Sequence, residues 1–102
     1  MTTYRMEDGT IVKTENAILD WKEGRDWNGN NWISRATGSQ WEHETLYRTR
    51  KARYWIEHTT QWQGRQPHAE FVSEHEAVRW LLTNEHNDLP EDLEHLRAEI
   101  EE

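Results

Sequence analysis

The chain has 102 residues, no Cys, a formal net charge of -8 and a hydrophobic fraction of only 33%. The missing Cys excludes disulfides, thiolate metal sites and a Cys nucleophile, and the length fits a single domain. No apolar run approaches the ~20 residues of a membrane span, and Met1-Thr2-Thr3-Tyr4-Arg5 lacks a signal peptide's apolar region, so cytoplasmic residence is expected.

Aromatic residues have to compensate for the scarce aliphatics. Seven Trp, three Tyr and one Phe each remove on the order of 150–250 Å² from water when buried, so a few replace many Leu or Val. A folded chain is expected despite the mean hydropathy of -1.20. Charge is distributed unevenly. Residues 85–102 hold eight acids against Arg97 alone, while the other 84 residues hold 12 acids and 11 bases. The molecule is electrically polarised, and general affinity for nucleic acid is disfavoured by the acidic total.

In chain order, Thr10 to Thr14 reads as a first strand, and Ala17 to Trp21 as a second strand or a helical turn. The segment Gly24 to Asn31 contains Asn28-Gly29-Asn30-Asn31, residue types that tolerate positive φ, and is expected to be a loop. Trp32 to Ala36 follows as a strand, with Thr37-Gly38-Ser39 as the turn into a long hairpin over Gln40 to Trp62. If Lys51-Ala52 form a two-residue turn, Trp41, His43, Thr45 and Tyr47 share the core face with Tyr54, Ile56, His58 and Trp62. Glu42, Glu44, Leu46, Arg48 and Arg50 then share a solvated face with Arg53, Trp55 and Glu57. Ala52 is awkward there, since a Cβ makes positive φ costly by roughly 1 kcal/mol. A wider turn is the alternative, and a one-residue slip would exchange the two faces.

Gly64 to Pro67 closes the hairpin and His68 to Val72 supplies a further strand. Ser73 with Glu76 makes a capping box that starts a helix from about Glu74 to about Glu85, with Ala77, Val78, Trp80, Leu81 and Leu82 as its apolar stripe. Pro90, Glu91 and Asp92 suit the first turn of a second helix, and Leu89, Leu93, Leu96 and Ile100 repeat at helical spacing. This seam could dock on the domain, on a partner or on a second copy, so a homodimer is one reading; an exposed strand edge is another route to it.

These residues offer four kinds of surface chemistry. The acidic end, through Glu91, Asp92, Glu94 and Glu99, could occupy a basic nucleic-acid-binding groove on a protein partner by mimicking spaced phosphates; otherwise it is a solvated helix that keeps the protein soluble. The hairpin tip, through Arg48, Arg50, Lys51, Arg53 and Trp55, could grip a phosphate backbone while the indole stacks on a base. His43 and His58 lie diagonally on one face in the two-residue-turn register and are weak metal candidates, because zinc wants three or four ligands. Trp21, Trp27 and Trp32 flank the Asn-Gly loop, where exposure would mark a surface for carbohydrate or peptide; most of them are expected in the core. No Gly-rich phosphate loop, Gly-x-Ser-x-Gly elbow or His-Glu-x-x-His is present. Neither catalysis nor a cofactor is expected.

Three segments carry a resemblance. Gly9-Thr10-Ile11-Val12 is followed by Thr14 and Ala17; Glu44-Thr45-Leu46-Tyr47-Arg48-Thr49 leads to Arg53-Tyr54-Trp55; and Ala69-Glu70-Phe71-Val72-Ser73 is followed by Glu76-Ala77 and Trp80-Leu81. Their order and spacing over residues 9–82 resemble a loose group of small proteins of bacterial, phage and plasmid genomes that has no assigned reaction. Ala52 stands where the group often has Gly. The resemblance implies an accessory protein of mobile or variable genomes that binds another protein.

The expected architecture is α+β: an antiparallel sheet of about four strands with one helix packed on it, forming a domain over residues 1–88, then an acidic helix and tail over 89–102. The expected function is a non-catalytic, acidic protein-interaction module, an inhibitor or adaptor of a nucleic-acid-processing or defence complex. The alternative is a nucleic-acid-binding regulator working through the basic tip.

Overall fold

The structure, a computed structural model, describes residues 2–62 and 64–100. The acids at 101 and 102, part of the expected acidic tail, lie outside the described residues. The fold is α+β and its centre is a four-stranded antiparallel sheet. Eight strands precede the helices: β1 Thr3–Arg5, β2 Ile11–Lys13, β3 Leu19–Lys22, β4 Arg25–Trp27, β5 Trp32–Ser34, β6 Glu42–Arg48, β7 Tyr54–Thr60 and β8 His68–Val72. The central sheet runs β3-β6-β7-β8, and β1-β2 and β4-β5 are separate two-stranded ribbons. Helix α1 spans Glu74–Thr83, and a 3-10 turn at Glu94–Leu96 leads into the short helix α2, Arg97–Ile100.

The register of β6 on β7 decides which residues meet. Leu46 faces Ile56, Glu44 faces His58 and Tyr47 faces Trp55, one residue away from the pairing that a Lys51-Ala52 turn would impose. The cause is a three-residue loop. Thr49 and Arg53 close it through Thr49 N–H to the Arg53 carbonyl at 2.8 Å, Ala52 N–H donates to the Thr49 carbonyl at 3.0 Å, and Ala52 adopts φ +62°. The Thr49 hydroxyl also accepts from the N–H groups of Lys51 and Arg53, both at 3.2 Å. A third loop residue in the left-handed region is the geometry of three-residue hairpins, and these local bonds offset the Ala penalty.

The slip moves every β6 side chain to the opposite face relative to β7. Leu46, expected on a solvated face, is fully buried beside Tyr54, Ile56, Ala77, Val78, Leu81, Leu93 and Leu96. His43, Thr45 and Tyr47 lie on the other face with Trp55 and Glu57. That face is covered as well: Tyr4, Met6 and Val12 from the β1-β2 ribbon form a second core with Trp55. Both sides of the sheet are therefore closed.

Local chemistry explains the helix. Ser73 Oγ accepts from Glu76 N–H at 3.1 Å while the Glu76 carboxylate accepts from Ser73 N–H, so two orphan donors at the N-terminus are satisfied reciprocally. At the other end Asn84, 4% exposed, ties the helix to the β3-β4 junction: its amide donates to the Trp80 carbonyl and its Oδ1 accepts from Gly24 N–H, both at 2.8 Å. The approach at Gly24 is close, since a Cβ there would lie 3.2 Å from the Asn84 carbonyl oxygen.

The C-terminal segment differs from the helix that its periodicity predicts from Pro90. Turns occupy Glu91–Leu93 before the 3-10 and helical turns begin. Leu93 and Leu96 are buried in the main core and Leu89 and Ile100 pack against it. The Leu seam is thus satisfied within the chain. Burying a Leu contributes roughly 1.5–3 kcal/mol, which outweighs the few tenths per residue that helix propensity would add.

Candidate functional site

Each of the four expected surfaces is altered by the fold. Two of the acids intended for a partner sit on the exposed face of the C-terminal segment but pair locally, Glu94 with Arg97 at 2.8 Å and Glu99 with His75 at 3.0 Å. Asp92 turns inward, accepting the Tyr54 hydroxyl at 3.0 Å and lying 3.6 Å from Arg48. Burial, then the Asp92 carboxylate, pushes the Tyr54 hydroxyl up to about 12. Asp92 therefore anchors the segment, while Glu91 is exposed.

The basic tip is dispersed. Arg48 points to the helix side, with its Nε buried and without a hydrogen-bond partner among the described residues. Trp55 is 1% exposed, stacked on Tyr47 at 4.4 Å and met edge-on by Tyr4 at 6.0 Å, so it cannot stack on a base as the sequence suggested. Arg53 lies 3.5 Å above the Phe71 ring and 3.4 Å from Asp8. Arg50 and Lys51 remain exposed.

His43 and His58 fall on opposite faces, because the register places Glu44, not His43, beside His58. The expected diagonal histidine pair does not form. His43 Nδ1 bonds Glu23 Oε2 at 2.7 Å, and Glu23 Oε1 accepts from Glu44 N–H at 2.7 Å. His58 instead bridges two carboxylates, Glu44 at 3.2 Å and Glu70 at 3.0 Å, and stacks on His68 at 4.5 Å. The hydrogen bond to Glu44 is the main reason its imidazole is held above the usual histidine range, against the opposing effect of burial. Burial pushes Glu44 up, but hydrogen bonds from His58 and from the Trp80 indole N–H, at 2.8 Å, outweigh it and hold the carboxyl below its usual value. Among the described residues no group of three or more ligating side chains could hold a metal ion. The His58 cluster is a half-buried charge bridge linking three strands to α1.

The tryptophans give the clearest surface. Trp27 and Trp32 are 56% and 51% exposed, Trp41 and Trp62 42% and 49%. They form two pairs, with ring centroids 5.5 Å and 5.6 Å apart. The first closes the β4-β5 ribbon. Asn28 builds that loop by accepting from Asn30 and Asn31 N–H groups, and Gly29 takes φ +103°. Arg25 lies 5.1 Å over the Trp32 ring, and Arg35 ties the ribbon to Asp26 and Glu85 at 2.7 and 2.8 Å. The second pair sits at the open end of the β6-β7 hairpin, beside the Gln61 N–H to Trp41 carbonyl bond of 2.9 Å. Trp27 and Trp32, from a group expected mostly in the core, are exposed here, and so are Trp41 and Trp62, expected on the core face. Trp41 and Trp62 lie just outside the paired strands, where no second layer among the described residues covers them. Trp21 packs partly against the core.

No protein-family model matches the chain, no curated protein matches it, and no solved structure matches its fold.

Proposed function

We propose that the protein is a non-catalytic interaction module that binds a basic protein surface through its exposed tryptophan pairs, with the acidic C-terminal segment selecting the partner's charge. The observation that carries this reading is the exposure of four of the seven indoles in two local pairs. A half-exposed Trp leaves on the order of 100 Å² in contact with water, worth about 2.5 kcal/mol if a partner covers it. Trp is also the residue type most enriched among interface positions that dominate affinity. Pairing within the chain holds each indole in place before binding, which lowers the ordering cost.

Charge supports the same partner class. The net charge of -8 accelerates encounter with a basic surface and repels a phosphate backbone. The three segments that resemble accessory proteins of bacterial, phage and plasmid genomes favour, as partner, a protein with a basic nucleic-acid-binding groove, on which this chain would act as inhibitor or adaptor.

The test is nuclease-treated affinity capture with three baits: wild type, Trp27→Ala/Trp62→Ala, and Glu91→Lys/Glu94→Lys/Glu99→Lys. Asp92 is left intact because it holds Tyr54. A specific basic partner should be retained by wild type and lost or reduced at least tenfold by each variant, a change of about 1.4 kcal/mol or more. Retention that vanishes with nuclease, or that neither variant alters, would overturn the reading.

A further inference from the structure

We infer that the hairpin tip and the β1-β2 ribbon form a binding site for a small organic anion with a flat apolar body, such as an aryl phosphate. A cavity of about 300 Å³ lies between them. Four cations line it: Lys13 from β2, Arg50 and Lys51 from the loop, and Arg53 just before β7. The described lining contains no carboxylate. In a chain with 20 acids and 12 bases, a lining with four bases is a local reversal of the overall charge. Asp8 offsets Arg53 at 3.4 Å, which leaves Lys13, Arg50 and Lys51 as the cations nearest an anion within a Debye length of about 8–10 Å.

Apolar side chains line the cavity as well. Ile11 and Phe71 belong to the lining, Ile11 56% exposed and Phe71 partly buried; Trp55 also lines it but is 1% exposed. Arg53 is held by the Phe71 ring and by Asp8, whereas Arg50 and Lys51 are exposed and can turn toward a bound anion. Thr49 adds a hydroxyl whose oxygen already accepts two backbone N–H groups, which leaves its O–H to donate. An anionic head among Lys13, Arg50 and Lys51, with an apolar body against Phe71, uses both halves of the cavity. The volume is at the lower end for ligand pockets, which fits a compact molecule. This combination is not apparent from sequence, because Lys13 and the loop cations are nearly 40 positions apart. It is also independent of the tryptophan surface, so either can fail without the other.

The experiment is an amide NMR titration of the intact chain with 1-naphthyl phosphate, inorganic phosphate and 1-naphthol. Saturable shifts confined to residues 10–17, 49–55 and 71 are expected with naphthyl phosphate, at an affinity at least about tenfold tighter than either fragment alone. Arg50→Glu/Lys51→Glu should weaken it at least tenfold further, while the charge-matched Lys22→Glu/Arg79→Glu, remote from the cavity, should not. Equal response to inorganic phosphate would reduce the site to surface charge, and equal response to 1-naphthol would reduce it to an apolar dent. Absence of saturation, or equal weakening by both double variants, would overturn the proposal.

Discussion

The two faces of the central sheet are closed by different means. On one, Leu46 and Ile56 pack against Ala77, Val78 and Leu81 of α1 and against Leu93 and Leu96 of the C-terminal segment. This core is largely aliphatic, and Leu46, Ala77, Val78, Leu81 and Leu93 in it are at 0% exposure. On the other, the cover is the β1-β2 ribbon of two three-residue strands, and the core is an aromatic stack of Tyr4, Trp55 and Tyr47 with Met6 and Val12. A chain poor in aliphatics can afford one aliphatic core of this kind; its second face relies on large rings whose polar ends must be satisfied. Tyr4 and Tyr47 hydroxyls both donate to Glu57, at 2.6 and 3.3 Å. Burial, then the Glu57 carboxylate, pushes Tyr47 up to about 12 and Tyr4 higher still. The aromatic face thus combines apolar burial with two Tyr hydroxyls on one carboxylate, and the helix face carries its charges at two places, Glu44 with His58 and Asp92 with Tyr54 and Arg48.

The contrast is broken most strongly by truncation. Leu81→Ala, at a fully buried position, is expected to cost about 2–5 kcal/mol and to lower hydrogen-exchange protection throughout the sheet. Met6→Ala, under the thinner cover, should lie at the low end of the same range and release chiefly the amides of residues 3–13. Uniform loss of protection in both variants would mean that the faces unfold as one unit. A smaller effect sharpens the comparison by strengthening the register that defines the faces. Ala52→Gly removes a Cβ from a residue at φ +62° and should stabilise by about 0.5–1 kcal/mol, seen as a higher denaturant midpoint with an unchanged slope. Destabilisation would show that the Ala conformation is not strained.

The smallest effect distinguishes the faces by pH. His58 is held above its ordinary value of 6.5 by Glu44. Its contribution is therefore complete below that value and is lost as pH rises through the higher folded value. Glu44 is held below its ordinary 4.5, so its contribution is complete above 4.5 and is lost as pH falls through the lower folded value. The bridge is strongest between about 4.5 and 6.5. Stability measured across that window should decline on the alkaline side in wild type and become flatter in His58→Gln; an unchanged slope would remove His58 as its cause.

Elements whose cause is local are legible in the residues themselves. The capping box at Ser73 and Glu76, the turn chemistry of Asn28 and Gly29, and the turn at Thr37-Gly38-Ser39 each depend on side chains bonding their own neighbourhood. The β1 and β4 strands escape such a reading because three-residue strands carry too few alternations to register. The faces of the hairpin come out reversed because one loop residue decides them, and Ala52 gives no sign by residue type that it adopts positive φ. Thr49 is the available signal, a hydroxyl placed to hold two backbone N–H groups. The slip parts His43 from His58 and turns Arg48 toward Asp92, whereas Trp55 keeps its face and is buried because the β1-β2 ribbon covers it.

By itself the sequence determined the mixed α+β class, the helix start and the uneven distribution of charge, since these follow from residue type and short-range spacing. Tertiary structure alone decided the strand register, the second covered face, the inward turn of Asp92 and which four tryptophans stay in water. Those outcomes depend on competition between distant surfaces for burial. One residue of slip between two strands, costing little locally, reassigns every side chain along both.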